Sequence, residues 1–413
     1  MLQNTRREWA RTIIGDSAQL DAFNRLRTSS PSSEFEYINE YNAGDLIWST
    51  KTTGAGMYTH IPNESSVELS TGDTLAGSGV IRQTWDYFRY RPGKSLQIIM
   101  TGVLGEIEPG AVRRIGYFDG RNGVHFRQDE NGVSVVVRSY VSGTAVDTII
   151  GQADWNIDKL DGTGVSKLIL HPELSQIFMI DIEWLGVGEV RYSFNVNGQT
   201  IIVHEQPHSN LLDSVYMTTA NLPLRYEIVN ETNTANVATM KQICSTVIVE
   251  TGDDENQSFY YNGQSSGRTG KAVGADWYPI ITIRGKELFN GIPQRGTIRL
   301  SDLSLFVSNV PCEYGLIYNG TLTGAAFTSV NNDSIVEYDI SATGITDGIV
   351  TPLGYANAGG GKERTGLSQQ TSLRYSLGLD VDGNSVNTFT LGARSLETQD
   401  SIIHGNFAWK EFY

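Results

Sequence analysis

What most limits the folds open to this chain is a succession of strand-length runs with a period of two, divided by dipeptides that reverse the chain. Residues 66–70 (SVELS) alternate, and residues 177–185 (IFMIDIEWL) and 189–196 (EVRYSFNV) keep the same period, which puts successive side chains on opposite faces of a strand. Residues 95–104 (SLQIIMTGVL) are largely apolar, the pattern of a strand covered on both faces. Residues 133–141 (VSVVVRSYV) are too β-branched for a helix. Asn122-Gly123, Asn131-Gly132 and Asn197-Gly198 stand between such runs, and Asn-Gly accepts the two left-handed conformations of a type I′ hairpin turn. Further runs follow at 278–284, 297–307, 314–318, 334–340, 373–379 and 388–391. Short strands at this spacing predict an all-β chain of β-sandwich or jelly-roll form.

At 413 residues the chain can hold more than one core, because single cores seldom exceed about 250–300 residues. The polar stretch 251–270 (TGDDENQSFYYNGQSSGRTG) reads as a linker or exposed loop. The expected domains are therefore one β-sandwich over 50–250 and a second over 271–413. Residues 356–366 (ANAGGGKERTG) are too Gly-rich for regular structure. No repeat of roughly 20–50 residues is evident, which counts against a propeller or solenoid. Residues 1–49 make an N-terminal arm with a short helix, where Trp9, Ile13 and Ile14 form an apolar stripe. Arg6, Arg7, Arg11, Arg25 and Arg27 crowd the same segment. They read either as a solvated helix face or as a surface that docks on an acidic neighbour.

The formal net charge of -15 argues against a phosphate-tracking surface, so no nucleic-acid partner is expected. The first 20 residues lack the apolar core and cleavage site of a secretory signal. No run approaches the roughly 18 apolar residues of a membrane span. The expectation is synthesis in a cytoplasm, without membrane insertion. Cys244 and Cys312, the only cysteines, then read as free thiols. The sequons at Asn63, Asn230, Asn256, Asn319 and Asn332 carry little weight without a secretory route.

Candidate chemistry is weak throughout, and no catalytic, cofactor or metal site is expected. Gly93-Lys94-Ser95 resembles the tail of a phosphate-binding loop, but Phe88 stands where that loop needs Gly, and a strand follows. Asp380-Val381-Asp382-Gly383-Asn384 has Gly too early for an EF-hand loop and reads as a turn. Asp253-Asp254-Glu255 reads as a solvated acidic loop before a calcium site. Asp181 and Glu183 share one strand face and could serve glycoside hydrolysis. The plainer reading makes them the solvent face of a strand whose Ile180, Ile182 and Trp184 enter the core. Among His60, His125, His171, His204, His208 and His404, only His204 and His208 are close, and Pro207 spoils a helical metal pair. Gly263-Gln264-Ser265-Ser266-Gly267 matches a nucleophile elbow without the strand and helix that motif needs, and reads as a flexible loop.

Aromatic residues are the better lead. In an extended conformation Trp85, Tyr87 and Arg89 share one face, while Phe88 and Tyr90 share the other. Such a segment suits core, a subunit interface or a sugar-stacking platform, since aromatics and Arg dominate interface centres.

Asp21-Ala22-Phe23-Asn24-Arg25-Leu26-Arg27-Thr28-Ser29 resembles the "DAFGRLR" opening of virion structural proteins of tailed bacteriophages, notably marine and cyanobacterial ones, with Asn24 in place of the usual Gly. Tyr90-Arg91-Pro92-Gly93-Lys94-Ser95 and Ile115-Gly116-Tyr117-Phe118-Asp119 resemble that family's central region. So do residues 139–143 (SYVSG), 154–164 (DWNIDKLDGTG), 180–187 (IDIEWLGV) and 212–228 (LDSVYMTTANLPLRYEI), while 409–413 (WKEFY) is a weaker match. The resemblance implies a non-enzymatic virion component of the tail-fibre, head-fibre, capsid-decoration or tail-adaptor kind. It implies a homo-oligomer, with a trimer the common form, and capsid or tail proteins as partners. On this expectation Arg6, Arg7, Trp9, Arg11, Phe23, Arg25 and Arg27 anchor the subunit. Trp85, Tyr87, Arg89 and Tyr90 are the interface or ligand-stacking candidates. The alternative is a receptor-recognition module for host-surface carbohydrate, and a glycan-degrading enzyme is the third reading.

Overall fold

A computed structural model describes residues 20, 31–250, 259–358, 363–366 and 375–413. The helix expected around Trp9–Ile14, the arm candidates Arg6, Arg7, Trp9, Arg11, Phe23, Arg25 and Arg27, and the acidic Asp253-Asp254-Glu255 lie outside the described residues. Within them the chain is all-β: only two three-residue 3-10 turns, Pro62–Glu64 and Gln152–Asp154, interrupt antiparallel strands.

The first unit uses β1 (Pro31–Ile38), β2 (Trp48–Thr53), β3 (Met57–Ile61), β4 (Ser66–Ser70), β5 (Gly79–Thr84), β6 (Leu96–Val103), β7 (Ala111–Phe118) and β8 (Gly123–Asp129). It continues through β9 (Gly132–Ser139), β10 (Val146–Gly151), β11 (Gln176–Ile182), β12 (Val190–Val196), β13 (Gln199–Gln206), β14 (Leu224–Asn230) and β15 (Thr239–Glu250). One sheet runs β13-β12-β11-β6-β15-β4-β3, with β1 also on β15; the other runs β10-β9-β8-β7-β14-β5-β2. Residues 31–49, expected in a separate arm, thus contribute β1 and the start of β2 to this unit, and Trp48 is buried in its core. Strand β6 alternates buried and half-buried positions rather than being covered on both faces.

The two sheets close on one apolar cluster. At its centre Phe126 packs on Phe178, Tyr192 and Phe194 at centroid distances of 5.2, 5.5 and 4.9 Å. Such pairs contribute about 0.5–1.5 kcal/mol each beyond area burial. Buried tyrosines also tie sheet to sheet. Tyr226 on β14 donates toward the Thr101 and Cys244 carbonyls, both at 3.1 Å, and Tyr192 on β12 donates to the Val136 carbonyl at 2.8 Å.

The second unit comprises β16 (Tyr260–Ser265), β17 (Lys271–Val273), β18 (Tyr278–Gly285), β19 (Leu288–Phe289), β20 (Ile292–Pro293), β21 (Thr297–Val307), β22 (Cys312–Tyr318) and β23 (Thr321–Thr323). Then come β24 (Thr328–Ser329), β25 (Val336–Asp339), β26 (Gly344–Thr346), β27 (Ile349–Ala356), β28 (Glu363–Gly366), β29 (Thr388–Ser395) and β30 (Ser401–Phe412). A sheet β16-β30-β21-β28, with β17 also on β30, faces a sheet β24-β25-β18-β29-β22-β27 across a second apolar cluster. Three sequence expectations fail here. Residues 260–265, expected in a linker and flexible loop, form edge strand β16, whose polar character reflects exposure rather than disorder. Residues 363–366 form β28 despite the glycines before them. The described part of the expected strand at 373–379 is irregular. Both cysteines are free.

The outer face of the β7–β9 and β14 region carries a packed layer of charge. Glu227 sits between Arg114 at 2.6 Å and Arg225 at 2.8 Å, and Arg138 forks onto Asp147 at 2.7 and 2.9 Å. His125 lies beneath, stacked on Phe118 at 4.3 Å and fully buried. Burial, reinforced by Arg138, Arg114, Arg127 and Arg225, holds its imidazole well below the usual histidine range. Its folded value is depressed, so the unfolded chain binds a proton that the folded one refuses. Stability is complete above about pH 6.5 and falls as pH drops toward the folded value, by at most about 1.4 kcal/mol per pH unit for one proton. The variant His125→Phe keeps the stack, and neither ring nitrogen has a hydrogen bond to lose among the described residues. It should match the parent's melting temperature at pH 7.5 and lose less of it at pH 5; parallel acid limbs for the two proteins would refute this.

Candidate functional site

The segment from Trp85 to Tyr90 is where the two units meet. Strand β5 ends at Thr84, so these residues are an extended connection and not the strand expected, apart from a single bridge between Phe88 and Leu222. The alternation of faces survives. Phe88 is buried in the first core, 5.1 Å from Phe35. Tyr90 is buried beside it, its backbone N–H on Asn221 Oδ1 at 2.9 Å and its ring edge-on to Trp184 at 5.9 Å.

Tyr87 and Arg89 turn toward the second unit. The Tyr87 ring lies 6.0 Å from the Arg295 guanidinium, and burial, with help from Asp119, pushes its hydroxyl up to about 12. Arg89 lies 5.7 Å from the centre of the Phe412 ring, and burial, then Arg91 and Arg299, lower its pKa. Trp85 donates from Nε1 to the Asp45 carbonyl at 3.2 Å. Of the readings open to this segment, Tyr87 and Arg89 thus have their neighbours in the second unit of the same chain.

The central link is Asp119–Arg295. Asp119 Oδ1 accepts the backbone N–H groups of Arg121 and Asn122, both at 2.7 Å. Its Oδ2 accepts Arg295 Nη2 at 2.6 Å and Nε at 3.1 Å. Both side chains are nearly inaccessible, at 7% and 10%, so screening is weak and loss of either partner leaves a buried charge. Around this link Lys51 pairs with Asp382, and Val381 N–H reaches Ser49 Oγ at 3.3 Å. Gly378 lies against the Trp85 backbone so closely that a Cβ would stand 1.8 Å from the Trp85 carbonyl oxygen.

The other candidates are dispersed. Asp181 and Glu183 are buried, at 8% and 4% exposure, rather than solvent-facing, and Asp181 stands opposite Arg191 in the β11–β12 register. Arg191 is held by Glu189 at 2.8 Å and Glu205 at 2.9 Å, and its Nη1 reaches the Leu20 carbonyl at 3.5 Å. Alternation in the sequence located the face but not its covering. His204 contacts Gln206, whereas His208 bonds the Gly188 carbonyl at 2.7 Å and stacks on Tyr216 at 3.8 Å. Burial lowers both imidazoles. No group of three or more His, Cys, Asp or Glu placed to hold a metal ion occurs among the described residues. Gly93-Lys94-Ser95 and Asp380–Asn384 are both turns, the latter closed by Asp380 Oδ1 on the N–H groups of Asp382 and Asn384. Sequence reasoning missed Arg82, which is fully buried on Gln242 and Thr50, both at 2.8 Å, and over the Tyr58 ring at 5.0 Å. Its place directly after Val80 and Ile81 in a strand-forming run was the available signal.

No protein-family model matches the chain, and no curated protein does. Among solved structures, the CBM2 module of the evolved Dit of Lactobacillus casei BL23 phage J-1 is 6% identical, with a TM-score of 0.34 over 55% of this chain and 99% of that one. The receptor-binding domain of botulinum neurotoxin D is 12% identical, with a TM-score of 0.34 over 72% and 61%. The carbohydrate recognition domain of Emp47p is 8% identical, at 0.34 over 54% and 97%. Likenesses this low in score carry neither a shared fold nor a ligand.

The variants Arg295→Ala and Gly378→Ala should uncouple the units. Arg295→Ala strands the buried Asp119 carboxylate, a loss of roughly 3–5 kcal/mol by analogy with other broken buried pairs. Calorimetry should resolve two unfolding transitions where the parent gives one; a single unsplit transition in both variants would show the interface to be energetically idle.

Proposed function

We propose that this chain is a structural component of a tailed-phage particle that acts through its surfaces, with the arginine-bearing segment before Pro31 as the anchor. The reading rests first on the ordered series of sequence motifs that resemble those of such virion proteins. The structural observation that carries it is the attachment of β1. The strand pairs with β15 from Pro31↔Glu250 to Ile38↔Cys244, so the root of the anchor is hydrogen-bonded into a sheet rather than hung from a loop. Load borne by the anchor passes into the first unit and, through Asp119–Arg295, into the second. Self-association into a closed oligomer, a trimer by expectation, belongs to the same reading.

A recognition role toward host-surface carbohydrate accompanies it. The second unit leaves Tyr260 and Tyr261 more than half exposed, and rings of this kind stack on the apolar faces of sugars.

The test is incorporation. Quantitative mass spectrometry of purified particles should find the chain at a fixed ratio to capsid protein. Joint replacement Arg6→Ala, Arg7→Ala, Arg11→Ala, Arg25→Ala and Arg27→Ala should lower that ratio at least tenfold while leaving the melting temperature of the purified chain within a degree or two. Absence of the parent chain from particles would overturn the proposal, as would undiminished incorporation of the variant.

A further inference from the structure

Strand β16 is the outermost of its sheet, paired with β30 on one side and, among the described residues, with no strand on the other. Its register against β30 runs unbroken from Tyr260↔Glu411 to Ser265↔Asn406, so no bulge bends the open edge away. The ladder decides which backbone groups lie on that edge. One step beyond the last pair, the Ser266 N–H donates to the Gly405 carbonyl at 2.8 Å. In an antiparallel pair every second residue bonds across, so Gln264, Asn262 and Tyr260 also turn their amides toward β30. The N–H and C=O groups of Tyr261, Gly263 and Ser265 therefore point outward. The Gln264 side chain donates to the Ser265 carbonyl at 3.2 Å, which fits an oxygen on the open side.

A row of outward backbone groups is a template for another chain unless side chains deter it, and here they do not. Residues 260–265 (YYNGQS) include no charge and no proline. The chain as a whole carries a net charge of -15, so copies repel one another over most of their surface and approach most readily at an uncharged edge. Most other edges of the four large sheets are defended: by Glu36 on β1, Lys51 on β2, Asp147 on β10, Glu205 on β13, Pro352 on β27 and Glu363 on β28. Strand β24 is two residues long. The uncharged edge β3 has the Asn39 carbonyl on His60 and the Asp45 carboxylate on Tyr58 folded against it.

We infer that β16 pairs with β16 of a second copy of this chain, antiparallel about a two-fold axis at Gly263. The inference rests on the self-association proposed above and gives that contact a location and a symmetry, two-fold in place of the trimer expected. The outward residues are spaced evenly about the centre. Gly263 faces Gly263 of the second copy, and Tyr261 faces its Ser265 at either end, which closes about six backbone hydrogen bonds. Gly263 brings no side chain to the axis, so the strands meet there without a clash, and the two sheets join into one. Such a contact is isologous and closes on itself. Edge pairing uses backbone rather than sheet faces, so the Tyr261 ring stays on the outer surface, opposite a small residue.

Analytical ultracentrifugation of the full-length chain should give a dimer. Ser265→Pro deletes an outward N–H that the ladder with β30 does not use, and Ser265→Lys puts a charge on the edge. Each should weaken dimerisation about tenfold or more while the circular dichroism spectrum stays that of the parent. With Tyr261→Cys and Ser265→Cys combined, oxidised glutathione should join the copies covalently, because facing residues in this register have Cα atoms about 5.5 Å apart. Either cysteine alone faces no second one across the axis and should give no covalent dimer on a non-reducing gel. A trimer would overturn the pairing while self-association stood, and so would a dimer that both Ser265 variants leave intact or that the double variant fails to cross-link. A parent chain that stays monomeric would remove self-association along with the pairing, and incorporation into particles would remain a separate measurement.

Discussion

Each unit is held together by the strand that arrives last. In the first, β15 pairs with β6 on one side and with β4 and β1, end to end, on the other. In the second, β30 pairs with β21 along one side and with β16 and β17 along the other. Both are twelve residues long, and each joins strands that are otherwise distant in sequence. Contacts of this range are closed only after the intervening chain has lost its freedom, so such topologies fold slowly and all at once. The buried Glu411 shows how firmly β30 is then locked. Its carboxylate receives Ser334 Oγ at 2.6 Å, Trp409 Nε1 at 2.7 Å and the Ile335 N–H at 2.8 Å.

Once the sheets are closed, the remaining polar chemistry is distributed by covering rather than by type. Arginines that a sequence would assign to solvent lie flat over aromatic rings or between carboxylates, as Arg82, Arg114, Arg138 and Arg225 do. Buried ion pairs gain little over apolar packing, but they are costly to break. That asymmetry makes Asp119–Arg295 a fastening between the units. The two sandwiches are thereby joined through a buried ion pair as well as through backbone contact.

Much of this was legible in the residues, and the exceptions have physical causes. The Asn197-Gly198 turn is as expected, with both residues at positive φ, 53° and 75°, joining Val196 to Gln199. Asn122-Gly123 instead closes a longer loop, because the Asp119 side chain caps the N–H groups of Arg121 and Asn122 and takes over the turn. Alternation separated Tyr87 and Arg89 from Phe88 and Tyr90 and put Asp181 and Glu183 on one face, yet it carries no information about what lies against a face. Edge strand β16 escaped notice because an edge strand need bury little, and its sequence is accordingly polar.

The seating of β1 has a mechanical corollary. A strand peeled from its end gives up its hydrogen bonds one after another, each at small force. A strand drawn along its own axis must give them up together. The chain enters β1 at Pro31, beside Glu250 at the far end of β15, so tension along that axis loads the whole ladder in shear. Because Pro31 also lies beside Glu250, where β15 ends, a pull that separates those two chain ends would instead open the same ladder one rung at a time.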